Sequence, residues 1–255
     1  MLAKELGFAN TLADRAADIA MPLFHGEMHV REKADKSPVT EADLRIESMV
    51  RAAVEQQFPA DAVLGEEGGL QGPEDAERTW IVDPIDGTKN FARRIQVWAT
   101  LLALRIGERV ELGLVAAPGL GERYEAVRGG GARLNGRAIH VSSVDALGRS
   151  QVIFASVGSW LGGPRERAFL DVVRAADRTR GFGDFWGHML VARGGGEVAF
   201  EPELRIWDYA ALAPIVEEAG GRMTALDGGP LTDRAGVLTT NGRLHDELVA
   251  RFSEG

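Results

Sequence analysis

From about Lys4 to Met28 the apolar positions recur at three- and four-residue steps. Leu6, Ala9, Ala13, Ala16, Ala17 and Ala20 share one face and predict an amphipathic helix. Asp35-Lys36-Ser37-Pro38-Val39 is a polar break. Thr40 then opens a second helix, with Asp43 three residues on as its capping-box partner. Ile46, Val50, Ala53 and Val54 give that helix a buried stripe, and Phe58-Pro59 ends it. Beyond it, as far as about Ser142, the pattern becomes strand and turn. Ala62 to Leu64 and Trp80 to Val82 are short apolar runs, the second stopped by Asp83-Pro84. Trp98 to Ile106 is almost continuously apolar, as a central strand buried on both faces would be. Glu108-Arg109 reads as a turn into Val110 to Ala117. Tyr124 to Val127 follows, and Asn135-Gly136 is a tight-turn signal.

The second half alternates. Strands are predicted at Val152 to Phe154, Glu197 to Phe200 and Val237 to Thr239. Helices are predicted at Arg165 to Ala176, Asp184 to Ala192, Asp208 to Ala219 and Leu244 to Phe252. The best boundary is the seam near Ser143–Ser150. It divides an N-terminal α+β half, 1–145, from a C-terminal α/β half, 146–255. No repeat or low-complexity linker interrupts the pattern.

Composition narrows the chemistry. The 255 residues are 45% hydrophobic and 26% charged, enough for a substantial core and unlike disorder or a coiled coil. There is no cysteine, which removes disulfides, thiolate metal sites and a cysteine nucleophile, and fits a cytoplasmic protein. The net charge of −9 argues against a nucleic-acid partner, whose phosphate backbone calls for a basic face. It leaves room for a divalent cation to bring a phosphate into an acidic pocket. The N-terminal stretch is broken by Lys4, Glu5, Asp14, Arg15 and Asp18 and does not read as a signal peptide. No apolar run reaches the ~20 residues of a membrane span.

Four acidic clusters stand out. Gly65-Glu66-Glu67-Gly68 follows a short strand. Asp83 and Asp86 frame Pro84-Ile85 at the end of another, and Gly87-Thr88 follows them. Asp208 and Asp43 each stand where a helix begins. Carboxylates at strand ends and helix starts, with no cysteine nearby, suit Mg²⁺ better than zinc. A helix starting at Gly87-Thr88 would add free amides for phosphate oxygens. Each cluster alone has a plainer reading: a solvated glutamate pair, an Asp-Pro turn, two helix caps.

Taken together, the segments resemble the inositol monophosphatase-like family of Mg²⁺-dependent phosphatases. Asp83-Pro84-Ile85-Asp86-Gly87-Thr88-Lys89-Asn90-Phe91 is similar to the family's first signature, with every fixed position filled. Gly65-Glu66-Glu67 stands upstream of it. Trp207-Asp208 through Glu218-Ala219-Gly220-Gly221 is similar to the second signature, and Lys36 through Asp43 to the lead-in segment. The resemblance covers nearly the whole chain. It implies a layered α-β-α-β-α sandwich of the α+β class, with the site between the halves. It implies that Glu66, Asp83, Asp86, Asp208 and the Ile85 carbonyl hold two or three Mg²⁺ ions. Thr88, paired with Asp43, would orient the attacking water, with Glu66 or Glu67 helping to take its proton. The Gly87 and Thr88 amides would bind the phosphate of a small phosphomonoester. Homodimerisation and lithium sensitivity are further implications. Leu212, where many relatives have glycine, and Pro214, inside the helix that follows Asp208, depart from the pattern.

The substrate signal is Arg178-Thr179-Arg180-Gly181-Phe182-Gly183-Asp184-Phe185-Trp186. Inositol-type relatives have small residues after the glycine matching Gly183. This run instead resembles the histidinol-phosphate phosphatase branch of actinobacteria. Histidinol phosphate carries an ammonium and an imidazole; inositol phosphate offers only hydroxyls. Asp184 and Glu201, seven residues before Asp208, are the expected partners of the amine. Trp186 or Phe185 would pack on the imidazole, and Arg180 is a further candidate substrate residue. The plainer reading makes Asp184 a helix cap and the aromatics core. His188 reads as a packed histidine, and Asn241-Gly242 as either a turn or a substrate contact. An inositol-phosphate or broad sugar-phosphate phosphatase is the alternative activity, and a non-catalytic binding protein on the same fold a minor one.

Overall fold

The computed structural model describes residues 2–28, 30–32, 38–73 and 75–253. Asp35, Lys36 and Ser37 of the predicted break, and His29, lie outside them. In chain order the elements begin with α1 (Ala3–His25), the antiparallel pair β1 (Val30–Glu32) and β2 (Pro38–Thr40), and α2 (Glu41–Gln57). Then come β3 (Ala62–Gly65), β4 (Gly69–Gln71), β5 (Arg78–Asp86), the short α3 (Thr88–Ala92), β6 (Ala99–Ile106), β7 (Arg109–Ala117), β8 (Glu122–Val127), β9 (Ala132–Leu134) and β10 (Arg137–Ala138). The C-terminal part runs β11 (Gln151–Phe154), α4 (Glu166–Ala175), β12 (Arg178–Arg180), α5 (Asp184–Ala192), β13 (Val198–Leu204), α6 (Ile206–Tyr209), α7 (Leu212–Glu218), β14 (Arg222–Ala225), β15 (Ala235–Thr240) and α8 (His245–Ser253).

β3 to β10 form one eight-stranded sheet in the order β10-β9-β8-β7-β6-β5-β3-β4, antiparallel except for the β3–β5 pair. β11 to β15 form a five-stranded mixed sheet in the order β12-β11-β13-β15-β14. The apolar alternation along β6 decides how these sheets stack. Leu102 and Leu104 face α1 and α2, in a core with Leu12, Ile46, Val50 and Trp80. Leu101 and Ala103 face the other way, in a core with Phe185 and Met189 of α5 and Leu212, Ile215 and Val216 of α7. Beyond those two helices lies the smaller sheet, whose far face packs on α4 and α8 through Phe154, Phe169, Phe200, Leu248 and Phe252. The result is the expected α-β-α-β-α sandwich of an α+β protein. Among the described residues, no helix is long and apolar enough to cross a membrane.

Several local expectations hold. Thr40 caps α2, its hydroxyl accepting from the Ala42 amide while its own amide donates to Asp43 at 2.7 Å. Asn135-Gly136 is the tight turn between β9 and β10. Others need correction. α1 stops at His25 rather than Met28; its last carbonyls, from Leu23 and Phe24, accept from the Arg94 guanidinium. The helix predicted over 208–219 is two helices, α6 and α7, broken at Ala210-Ala211. Pro214 is the cause. A continuous helix would need its missing amide to bond the Ala210 carbonyl, whereas in the first turn of α7 no such donor is required. β4, β12 and β14 are short strands without an apolar run of their own, and periodicity does not find them.

α7 seats on the large sheet at one place where there is no side chain. A Cβ on Gly113 of β7 would lie 2.1 Å from the Ala211 carbonyl oxygen and 2.7 Å from the Pro214 ring. Gly113→Ala therefore forces α7 off the sheet, and we expect ~1–3 kcal/mol of lost stability in urea or thermal unfolding. An unchanged midpoint would show that this contact is not close-packed.

Candidate active site

β5 delivers two of the carboxylates, and its irregularity decides how. In a regular strand, residues three apart point to opposite faces. Here Asp83 pairs with Leu101 and Asp86 with Ala99, so the β5 side carries one extra residue between them. This bulge turns Asp86 to the same side as Asp83. Pro84 has no amide to give the ladder, and its carbonyl accepts from the Thr100 hydroxyl at 2.8 Å. The Ile85 amide donates to Asp83 Oδ1 at 3.0 Å. Gly87 then takes a left-handed backbone, φ 80°, which only glycine adopts without strain, and α3 starts at Thr88.

Asp208 comes from the C-terminal part of the chain. It sits in α6, with one oxygen, Oδ2, accepting from the Arg205 amide at 2.7 Å. It is thus a helix cap and also a member of the cluster: ligand oxygens of Asp83, Asp86 and Asp208 lie within 4.8 Å of one another. Glu66 sits in the turn between β3 and β4, its amide bonded to the Val82 carbonyl of β5. Its charge bears on Asp43, Asp83, Asp86 and Asp208 together. Asp43, at the start of α2, commits Oδ2 to Thr40, while its Oδ1 is buried with no hydrogen-bond partner among the described residues.

The electrostatics are one-sided. Burial, reinforced by the neighbouring carboxylates, raises Asp83 and Asp86 well above the usual carboxylate range. Burial pushes Asp208 up to about 7, with Glu66 and Asp184 adding to it and the Arg205 amide and guanidinium opposing. Burial also lifts Asp43 to about 6 against two bonds from Thr40. Such a set calls for a cation. An octahedral Mg²⁺ at ~2.1 Å from each ligand places opposite oxygens ~4.2 Å apart, so the observed spacing closes on such an ion with small shifts. All the donors are oxygens, and Asp43 Oδ1 is an acceptor still to be satisfied, so the residues present fit a hard divalent cation.

A second acidic group adjoins the first. Asp184 begins α5 with φ 51°, a left-handed conformation that aspartate tolerates better than most residues. Its carboxylate accepts from Asn90 at 3.3 Å, and the next amide, of Phe185, donates to Asp86 at 2.7 Å. Glu201, on β13, is buried; burial and the Asp184 charge raise it well above the ordinary range. Burial raises Asp184 too, with the exposed Lys89 opposing. Trp186 is partly buried beside them, edge-on to Phe182 at 6.0 Å, with a buried indole N–H that has no partner among the described residues.

Two expectations differ. Thr88 is not paired with Asp43; its hydroxyl donates to the Ile85 carbonyl at 2.8 Å, the oxygen expected to be a ligand. Arg180 lies exposed on edge strand β12, bonded to the Thr179 carbonyl rather than to the acidic group. Phe185 is core, leaving Trp186 as the accessible aromatic. His188 is packed as expected, bonded to Thr239. Asn241 is structural, its amide donating to the Ser142 and Val144 carbonyls. Asn90 and Glu47 are tied to the site, and only the final fold reveals it. Asn90 stands in the first signature, but nothing in Glu47's sequence context marks it.

Comparison with known proteins agrees with this geometry. The model of the inositol monophosphatase family matches residues 1–255. The histidinol-phosphatase of Streptomyces coelicolor is 42% identical, with 98% of this chain and 97% of that protein covered. That of Mycobacterium tuberculosis is also 42% identical, with 98% of each covered. The crystal structure of the extragenic suppressor protein suhB from Bartonella henselae superposes with a TM-score of 0.90 at 26% identity, covering 99% of this chain and 100% of that one.

The raised carboxylates set a pH dependence. Each binds more protons folded than unfolded between its ordinary pKa near 4 and its raised value, so the metal-free fold loses stability as pH rises through that window. Buried His188 and His245, both lowered to about 4, act oppositely, but only up to the ordinary histidine value of 6.5. We therefore expect the melting temperature in EDTA to fall between pH 6.5 and 8. Added Mg²⁺ should stabilise more at pH 8 than at pH 6. A Mg²⁺ effect independent of pH would contradict the assignment.

Proposed function

The chain belongs to the inositol monophosphatase family and is a phosphatase of it, and from that premise we propose that it is a Mg²⁺-dependent L-histidinol-phosphate phosphatase acting in histidine biosynthesis. The observation that carries the choice of substrate is the Asp184–Glu201 pair. Two carboxylates raised by burial stand next to the phosphate end of the site, and the cation acting on Asp184 is the exposed Lys89. A substrate ammonium satisfies both. A ring of hydroxyls leaves the charges uncompensated. Trp186, with Phe182, offers an aromatic face to the imidazole.

In the proposed reaction water attacks phosphorus in line, the ester P–O bond breaks, and the leaving oxygen takes a proton from solvent water to depart as the alcohol. Asp83, Asp86 and Asp208, with Glu66 and the Ile85 carbonyl, would hold two or three Mg²⁺ ions. The bound metal supplies Lewis acidity that lowers the pKa of water and offsets the phosphate charge. The first-turn amides at Gly87 and Thr88 take phosphate oxygens, since the start of α3 leaves them without intrahelical partners. Asp43 Oδ1, buried and without a hydrogen-bond partner among the described residues, takes a proton from the attacking water. Thr88 Oγ1, its hydrogen directed to Ile85, presents its lone pairs to the same water. Glu66, with Glu67 beside it, shares the proton. A cytoplasmic homodimer inhibited by lithium completes the reading, on the strength of the family resemblance.

The test is phosphate release from histidinol phosphate and inositol-1-phosphate side by side, with Mg²⁺ and with EDTA. We expect histidinol phosphate to be preferred and EDTA to abolish turnover. A charge-assisted contact is worth ~1.5–3 kcal/mol, so Asp184→Asn should cost ~10–100-fold in kcat/KM on histidinol phosphate. It should cost little on inositol phosphate. A wild-type preference for inositol phosphate would reject the substrate and leave the metal chemistry standing.

A further inference from the structure

Glu47 is charged and buried, 3% exposed, yet lies outside the acidic cluster. It stands one turn after Asp43 on α2, so one helix face carries both. Its Oε2 accepts from the Glu67 amide at 2.8 Å, and its Oε1 from the Gly68 amide at 2.7 Å. Arg51, one turn further, pairs with Oε1 at 2.7 Å and donates to the Val63 and Gly69 carbonyls on both arms of the β3–β4 hairpin. The turn sits flush on this pair: a Cβ on Gly65 would lie 2.3 Å from the Glu47 carboxyl carbon.

We propose that the Glu47–Arg51 pair is a positioning device for the metal site, fixing the turn that presents Glu66. This rests on reading Glu66 as a metal ligand. A buried ion pair is a costly way to hold an ordinary hairpin turn, because both charges must be desolvated. Here the two amides that Glu47 takes are the two that follow Glu66 in the chain. With both amides held by one carboxylate and both hairpin arms by one guanidinium, the turn cannot swing without breaking a charged contact. Glutamine at position 47 would set an NH₂ group against one of those amides and lose the charge facing Arg51. Changes of this kind behind a ligand typically weaken metal binding ~10–100-fold.

The experiment is calorimetric titration of Mg²⁺ into substrate-free protein, with melting temperatures in EDTA alongside. Glu47→Gln should weaken Mg²⁺ binding ~10–100-fold, approaching Glu66→Gln. It should also raise the Mg²⁺ concentration for half-maximal activity. Arg51→Lys, which keeps the charge but cannot span both hairpin arms, should weaken Mg²⁺ binding to a lesser degree. Asp61→Asn is the control. It disturbs the bond from the Trp80 indole and the ion pair with Arg78, away from the turn, and should lower the melting temperature without changing Mg²⁺ affinity. If Glu47→Gln lowers only the melting temperature, as Asp61→Asn does, the pair is merely structural and the proposal falls. If Glu47→Gln does not fold, unchanged Mg²⁺ affinity in Arg51→Lys overturns it equally. If Glu66→Gln itself binds Mg²⁺ like wild type, the ligand reading fails first, and the proposal with it.

Discussion

The structure is organised around a charge that the chain does not neutralise by itself. Asp43, Asp83 and Asp86 are buried, Asp208 is partly buried, and the charge of Glu66 acts on all four. Arg205 opposes the rise at Asp208, and Lys89 the rise at Asp184. Taking an ion out of water costs several kcal/mol even after relaxation. The fold carries that cost because the carboxylates are anchored to elements fixed by other means: the middle of an eight-stranded sheet, the caps of two helices and a braced hairpin turn. Raised pKa values are the signature of the strain, and a divalent cation is the simplest way to relieve it.

The layers explain why the cluster forms where it does. The large sheet is apolar on both faces, so β5 cannot shift without exposing Trp80 and Val82 on one side or Ile81 on the other. α7 closes on that sheet through Gly113, which fixes α6 and hence Asp208 against β5. The Phe185 amide reaches back to Asp86, so the start of α5, with Asp184, is held to the same strand. Residues about 100 positions apart are thereby joined by packing that would be needed for the core alone.

Much of this was legible in the sequence, for identifiable reasons. β6 announced itself by apolar residues on both faces, α2 by Thr40 and Asp43, and α5 by its bounds. The acidic segments could be grouped because their order matched a known family. What the sequence hid were features that depend on partners. The bulge at Pro84-Ile85 is visible only against β6, and it alone places Asp83 and Asp86 on one side. The break at Ala210-Ala211 follows from Pro214, yet the apolar pattern ran straight through it. Thr88 turned to Ile85 rather than to Asp43, a choice among near neighbours that spacing does not resolve. Nothing in the sequence marked Glu47, because the hairpin that buries it lies 20 residues downstream.

The central claim is that these carboxylates form one cation site shared between β5 and α6. The most direct measurement is a crystal structure grown with Mn²⁺ in place of Mg²⁺, with anomalous scattering locating the ions. The account predicts a peak bounded by Asp83, Asp86 and Asp208, with the Glu66 turn against it. Peaks elsewhere, or an acidic cluster that stays protonated and empty of metal at pH 8, would contradict it.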